Sequence, residues 1–121
     1  LRKYDSNGTI QWTNQIGTGF DDESWRMTVD SKDNIYLTGY TNGNLDGNTN
    51  VGNSDIFIIK YNSDGIKQWV KLTGTSVEDK PTGIYVDSNE NIFISGYTQG
   101  SLDGNTNKGG FDSFLLKMEI K

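Results

Sequence analysis

Lys3-Tyr4-Asp5-Ser6-Asn7-Gly8, with Gln11-Trp12 behind it, is written again as Lys60-Tyr61-Asn62-Ser63-Asp64-Gly65 with Gln68-Trp69. The offset is 57 residues, and it runs without a gap from Tyr4 to the end of the chain. Asn34-Ile35, Gly39-Tyr40-Thr41 and Leu45-Asp46-Gly47-Asn48-Thr49-Asn50 return as Asn91-Ile92, Gly96-Tyr97-Thr98 and Leu102-Asp103-Gly104-Asn105-Thr106-Asn107. A strict period of this length marks a repeat architecture, in which each unit buries its apolar surface against its neighbours. Repeats at about 4–60 and 61–117 therefore form a single segment, 1–121.

Within one period, runs rich in Ile, Val, Tyr, Phe, Trp and Thr are divided by Gly, Asn, Asp and Ser, which predicts short strands separated by turns. Strands are expected at 25–30, 34–41, 55–61 and 66–73, and in the second copy at 82–87, 91–98 and 112–118. The missing eighth strand is matched by one at the front, 9–16, so each strand occurs twice in circularly permuted register. The stretches 30–34 and 62–65 are short enough for hairpins, which makes consecutive strands antiparallel meanders. Ile56-Phe57-Ile58-Ile59 is apolar on both sides, so its sheet is covered on both faces. Four-stranded meanders stacked in this way predict an all-β fold of β-propeller blades, two blade equivalents in all. A ring needs roughly four to eight blades. The chain is expected either to be part of a longer protein or to assemble head to tail, strand 9–16 of one copy completing the blade that ends at 112–118 of another.

Val29-Asp30-Ser31, Asn34-Ile35-Tyr36-Leu37-Thr38-Gly39-Tyr40-Thr41, Gly52, Asp55, Phe57 and Lys60, with their second copies through Lys117, resemble the SBBP type of β-propeller repeat. Its pattern runs V-D-x-x-G-N-[IV]-Y-[VL]-[TS]-G-x-T, a Gly-rich loop, then D-[AIS]-F-[IVL]-x-K-[YL]. The likeness covers nearly the whole chain. Asp33 and Glu90 depart from it, standing where the pattern has Gly before Asn. The resemblance implies a noncatalytic module of large secreted or cell-surface proteins and brings no catalytic residues.

Composition narrows the chemistry. Sixteen acidic residues against eleven basic ones, a net charge of −5, repel phosphate backbones and argue against nucleic-acid binding. Without cysteine there are no disulfides or thiolates, and without histidine the usual neutral-pH base and commonest zinc ligand are missing. No apolar run approaches the roughly 20 residues that span a bilayer. The chain opens at Leu1 in mid-pattern, so any signal peptide is expected to have been removed or to lie outside it.

In a blade meander the first-to-second and third-to-fourth connections share one face, and the others share the opposite face. The second face gathers the long loop 42–54 and the loop 17–24, with their counterparts 99–111 and 74–81. Long loops on a rigid scaffold are where binding is usually placed. Asp46, Asn48, Asn50 and Asp55, repeated as Asp103, Asn105, Asn107 and Asp112, set oxygen side chains at alternate positions before a glycine, as the opening of a calcium loop does. Phe57 stands where an EF-hand has its bidentate acid. The competing reading is that Asp and Asn bond their own backbone and hold a long loop without metal. Trp12 and Trp69 are equivalent and would form either a ring of sugar-stacking platforms or interblade packing. Trp25 has Thr82 as its counterpart, so it does not define the blade and, if exposed, is the better candidate for a unique contact. Asp21-Asp22-Glu23 reads as a solvated acidic turn rather than a glycosidase pair, and Lys67 and Lys71 as protection of an outer edge. The functional expectation is assembly or protein–protein interaction through the long-loop face and open strand edges, stiffened by calcium. A lectin-like carbohydrate binder competes with it, and a noncatalytic part of a larger enzyme or adhesin comes third.

Overall fold

A computed structural model of the chain describes residues 1–120. Among the described residues nine strands make three antiparallel sheets: β1 (Arg2–Tyr4) with β2 (Ile10–Thr13); β3 (Asp22–Val29), β4 (Ile35–Thr41), β5 (Asp55–Tyr61) and β6 (Lys67–Thr73); and β7 (Asp79–Val86), β8 (Asn91–Thr98) and β9 (Asp112–Glu119). The central sheet is a complete meander in the order β3-β4-β5-β6, the last sheet repeats its first three strands, and β7 packs against β3 and β4.

β1 is absent from the strands expected of the sequence. It is the tail of another third strand: Lys3 pairs with Trp12 as Lys60 pairs with Trp69, and Arg2 with Thr13 as Ile59 with Val70. The third-strand motif therefore occurs three times, not twice, and a blade runs from β3 to β6, out of phase with the sequence repeat. β3 and β7 also begin three residues earlier than the sequence predicts. In both, the register shifts at one residue, Trp25 and Thr82 respectively, which is left unpaired as a bulge.

Strand alternation puts Ile35, Leu37, Phe57, Ile59 and Tyr61 on one face of the central sheet, where Leu1, Trp12 and Ile16 cover them. Tyr36, Ile56 and Ile58 line the other face, against Val86, Ile92 and Ile94 of the last sheet. Ile56, Ile58, Ile59, Ile92 and Ile94 are fully buried, each contributing about 1.5–3 kcal/mol relative to exposure. This two-sided burial is why β5 reads as an unbroken apolar run.

The short turns share one design. Asp5, Asp30, Asn62 and Asp87 each accept, through Oδ1, the backbone N–H groups two and four residues further on, at 2.8–3.1 Å. The residue three positions on is left-handed: Gly8, Asp33, Gly65 and Glu90, with φ of 80°, 62°, 78° and 65°. Asp33 and Glu90 thus adopt the conformation that the family's glycine supplies without strain.

Candidate functional site

The loops 42–54 and 99–111 lie on the face opposite these hairpins, each built around a two-residue turn. Asp46 and Gly47 have φ of 52° and 79°, Asp103 and Gly104 of 50° and 80°, and the amides of Asn48 and Asn105 close on Leu45 and Leu102 at 2.9 Å. Both central residues are left-handed, the type I′ signature of Asp-Gly.

The polar side chains of this loop mostly bind their own chain. Asn48 Nδ2 donates to the carbonyls of Leu45 and Val70 at 3.2 and 3.3 Å, and Asn50 Nδ2 to that of Thr41 at 2.9 Å. Asn50 Oδ1 accepts from the Gly52 amide at 3.0 Å, and Asp46 forms an ion pair with Lys67 of β6. In the second copy Asn105 Nδ2 donates to Leu102 O, Asn107 Nδ2 to Thr98 O and Gly110 O, and Asp112 Oδ2 accepts from the Lys108 amide. The amide nitrogens, which cannot ligate a cation, are the atoms that fasten the loop. Among the described residues no three acidic, histidine or cysteine side chains gather as a metal group. Asp55 stands apart from Asp46: it starts β5, is 1% exposed, and abuts Asp79 of the next blade around Gly74.

Both repeated tryptophans pack between sheets. Trp12 is half-buried against the first core face, its ring over Gly65, where a Cβ would stand 2.5 Å from Cδ2. Trp69 packs on the second face, edge-on to Tyr36 with ring centroids 6.2 Å apart.

Trp25 belongs to a cluster that the sequence did not reveal. The bulge directs its ring edge-on to Tyr40, with centroids 5.6 Å apart, and its Nε1 donates to Glu23 Oε2 at 3.0 Å. Tyr40 donates its hydroxyl to Glu23 Oε1 at 2.6 Å. Lys80 from β7 lies 4.5 Å from the Tyr40 ring centre and 5.9 Å from that of Trp25, and it pairs with Glu78 at 2.5 Å. The hydrogen bonds from Tyr40 and Trp25 hold the Glu23 carboxyl below its ordinary range, and that same bond pushes the Tyr40 phenol up to about 12. Tyr40, Glu78 and Lys80 also line a cavity of about 240 Å³ with Asn42, Asn53 and Ser54. The pairing of Glu23 with Tyr40 across β3 and β4 was hidden because the segment read as a loop.

A groove of about 320 Å³ runs along β9, bounded by Leu102, Asn105, Phe114 and Leu116. In the central blade the equivalent space holds β6, whose Val70 and Leu72 pack against Leu45, Phe57 and Ile59. Among the described residues no strand pairs with the outer edge of β9. Beside it the sheet leaves Tyr85 and Leu115 exposed at 62% and 74%, although Ile58, the counterpart of Leu115, is fully buried.

Antiparallel meanders stacked face to face, with hairpins at one end and long loops at the other, define a β-propeller segment. The chain belongs to the SBBP β-propeller repeat family, whose model matches residues 11–46 and 68–103. It is 31% identical over 134 residues to an uncharacterized WD repeat-containing protein of Acanthamoeba polyphaga mimivirus, covering 94% of this chain and 9% of that protein. It is 28% identical over 129 residues to the regulatory protein FlaEY of Caulobacter vibrioides, covering 95% and 13% respectively. The chain thus spans about a tenth of the length of these relatives.

Proposed function

We propose that the chain is a noncatalytic protein-interaction segment of a β-propeller that accepts a further β-strand along β9. The groove beside Phe114 and Leu116 carries this reading, because its equivalent in the central blade is filled by a strand. The loop alongside is set to receive one. Asn48 gives hydrogen bonds to Leu45 and to Val70 of the fourth strand, whereas Asn105, its counterpart, makes only the first of these, to Leu102. Adding a strand joins main-chain hydrogen bonds to side-chain pockets at alternate positions, and exposed Leu115 and Tyr85 offer a face for the blade that would follow. The family and the name of the viral relative support an interaction role.

A following strand of the same longer polypeptide fits better than β2 of a second copy. Within each chain β1 already pairs with β2 in the register that β9 would use, so head-to-tail assembly would first have to open that hairpin.

The experiment is to supply a fluorescent peptide with the sequence of residues 64–73 to the intact chain and follow its anisotropy. Saturable binding that raises the melting temperature is expected, and it should be abolished when proline replaces the peptide residue corresponding to Lys71, which pairs with Ile58 in the β5–β6 register and whose loss of N–H breaks the ladder. No binding at millimolar peptide, or equal binding of a scrambled peptide, refutes the reading.

A further inference from the structure

Where the central blade meets the last one, two carboxylates are buried. Asp55 opens β5 at 1% exposure and Asp79 opens β7 at 0%. Each uses one oxygen on local donors: Asp55 Oδ2 accepts from the Val51 amide at 2.9 Å, and Asp79 Oδ2 from the Thr75 amide and hydroxyl at 2.5 and 2.9 Å. In both residues Oδ1 is buried and has no partner. The carboxylates flank Gly74, where a Cβ would stand 2.7 Å from Asp55 Oδ1 and 3.0 Å from Asp79 Oδ2. Glycine therefore leaves open a space that both acids border. Ser54 Oγ, on a residue 3% exposed, is also unpartnered, and the Ser54 carbonyl accepts the Asp79 amide at 2.9 Å, tying the two strand starts together.

Among the described residues no basic side chain pairs with either carboxylate. Lys80, next to Asp79, is taken by Glu78 and by the rings of Tyr40 and Trp25. Burying even one unpaired carboxylate costs several kcal/mol, and burial together with the charge of Asp79 holds the Asp55 carboxyl above its ordinary range.

The other repeat sharpens the point. Asp22, the counterpart of Asp79, follows Gly17 and Thr18 as Asp79 follows Gly74 and Thr75, and Thr18 donates to it at 2.6 and 3.0 Å. Its Oδ1, however, accepts the Thr41 hydroxyl at 2.5 Å. Thr98, the counterpart of Thr41, keeps the contact to the Gly100 carbonyl that Thr41 also makes to Gly43, but gives no hydrogen bond to Asp79, whose Oδ1 stays bare. Among the described residues, the orphan oxygens occur where the third-strand Asp of one blade meets the first-strand Asp of the next.

We propose that Asp55 and Asp79 bind one hard divalent cation of the calcium type at the junction between consecutive blades. Two negative charges match the ion, carboxylate oxygens are its preferred donors, and hydroxyl, carbonyl and water oxygens complete a shell of six to eight. The ion would hold two blades in register from within their interface. The site keeps Asp55 of the calcium loop suggested by the sequence but pairs it with Asp79, not with Asp46, Asn48 or Asn50.

The test is calorimetric titration of the full chain, freed of metal by chelator, with calcium chloride, together with melting curves. One calcium per chain is expected, with a rise in melting temperature that chelator reverses. Asp79→Asn should abolish the binding while melting no lower than the metal-free parent, since it removes a buried charge. Gly74→Ala should weaken binding at least tenfold, and Asp46→Asn and Asp103→Asn should leave it unchanged. Absence of binding at millimolar calcium overturns the proposal in favour of a proton held by the pair, as does persistence of binding in Asp79→Asn. Two calcium ions per chain, lost with Asp46→Asn or Asp103→Asn, overturn it in favour of the turns.

Discussion

Gly39→Ala is the most severe single-methyl change the fold predicts. Gly39 lies opposite Phe57 in the β4–β5 ladder and opposite Ser24 at the bulge of β3. A Cβ there would overlap the Glu23 carbonyl oxygen, stand 2.7 Å from the carbonyl carbon, and reach 2.8 Å from Phe57 Cζ. Carbon atoms in contact sit about 3.5–4.0 Å apart, so the crowding is close to 1 Å on both sides. The Phe57 ring has some freedom to tilt, but Glu23 is backbone, and β3 would have to withdraw from β4. Overpacking of a filled core costs about 1–3 kcal/mol. Loss of one or two adjacent ladder hydrogen bonds adds about 1 kcal/mol each. The expected destabilisation is therefore about 2–5 kcal/mol, against a total of about 5–15 kcal/mol for an ordinary domain. Urea denaturation followed by tryptophan fluorescence measures it, with two other glycines as references. Gly8→Ala meets nothing within 4 Å but has φ of 80°, so only left-handed strain of about 1–2 kcal/mol applies. Gly19→Ala, open and without that backbone constraint, should stay within about 0.5 kcal/mol of the parent. If Gly39→Ala is no more destabilising than Gly8→Ala, the close approach of β3 to β4 is wrong. Gly96→Ala, which would crowd the Lys80 carbonyl and Phe114, repeats the test in the last sheet.

Tyr40 should titrate near pH 12, seen as tyrosinate absorbance, and Glu23→Gln should bring it back toward 10. Because its folded value is raised, the stability it contributes is complete below about pH 10, the ordinary tyrosine value, and is lost as pH climbs through about 12. An unchanged titration in Glu23→Gln would contradict the hydrogen bond. Asp30→Ala strands two turn amides and frees Asn34 and the Tyr36 hydroxyl, so a loss of about 2–3 kcal/mol in denaturant melts is expected. Burial pushes the Asp30 carboxyl up, but the bonds from Asn34, Lys32 and Tyr36 outweigh it and leave it lowered. Its contribution is accordingly present above the ordinary carboxylate range and lost as pH falls through the folded value, and a flat acid limb would count against it. Asp33→Gly should raise stability by about 0.5–1 kcal/mol by removing left-handed strain at an exposed turn, and a loss would show that Asp33 is not strained.

The bounds of β5 and β8 were legible because apolar and β-branched runs there end at clear turn residues, and the 57-residue offset supplies each pattern twice. The starts of β3 and β7 were not. Asp22-Glu23-Ser24 and Asp79-Lys80-Pro81 look like polar loop, and the bulges at Trp25 and Thr82 interrupt the alternation that would have betrayed a strand. Asp46, Asn48 and Asn50 were legible as a specialised turn, but sequence cannot tell whether an asparagine presents its oxygen or its nitrogen, and here Asn48 and Asn50 give their nitrogens to carbonyls. The adjacency of Asp55 and Asp79 is a contact between blades, invisible to any local pattern. A usable signal did exist: Gly17-Thr18 four residues before Asp22 recurs as Gly74-Thr75 before Asp79, too regular for a casual acidic turn.

Residues kept in both copies and residues present once divide the labour. The kept ones do structural work that each repeat needs: Asx caps at Asp30 and Asp87, the Gly39–Phe57 and Gly96–Phe114 cross-strand pairs, Leu45 and Leu102 beneath their turns, Trp12 and Trp69 between sheets. In a repeat protein each unit touches only its neighbours, so residues that hold neighbours together must recur with the period. A surface that selects one partner need not. Phe20, Val51 and Phe111, exposed at 71%, 58% and 52% on the long loops, have Val77, Lys108 and Ser54 at the corresponding positions. Trp25 faces Thr82 in the same way, and Glu23, which binds it, faces Lys80. Specific recognition is therefore to be sought among the unrepeated aromatics of the long-loop face and the Trp25 cluster, where replacing one residue changes a contact that the other repeat does not duplicate.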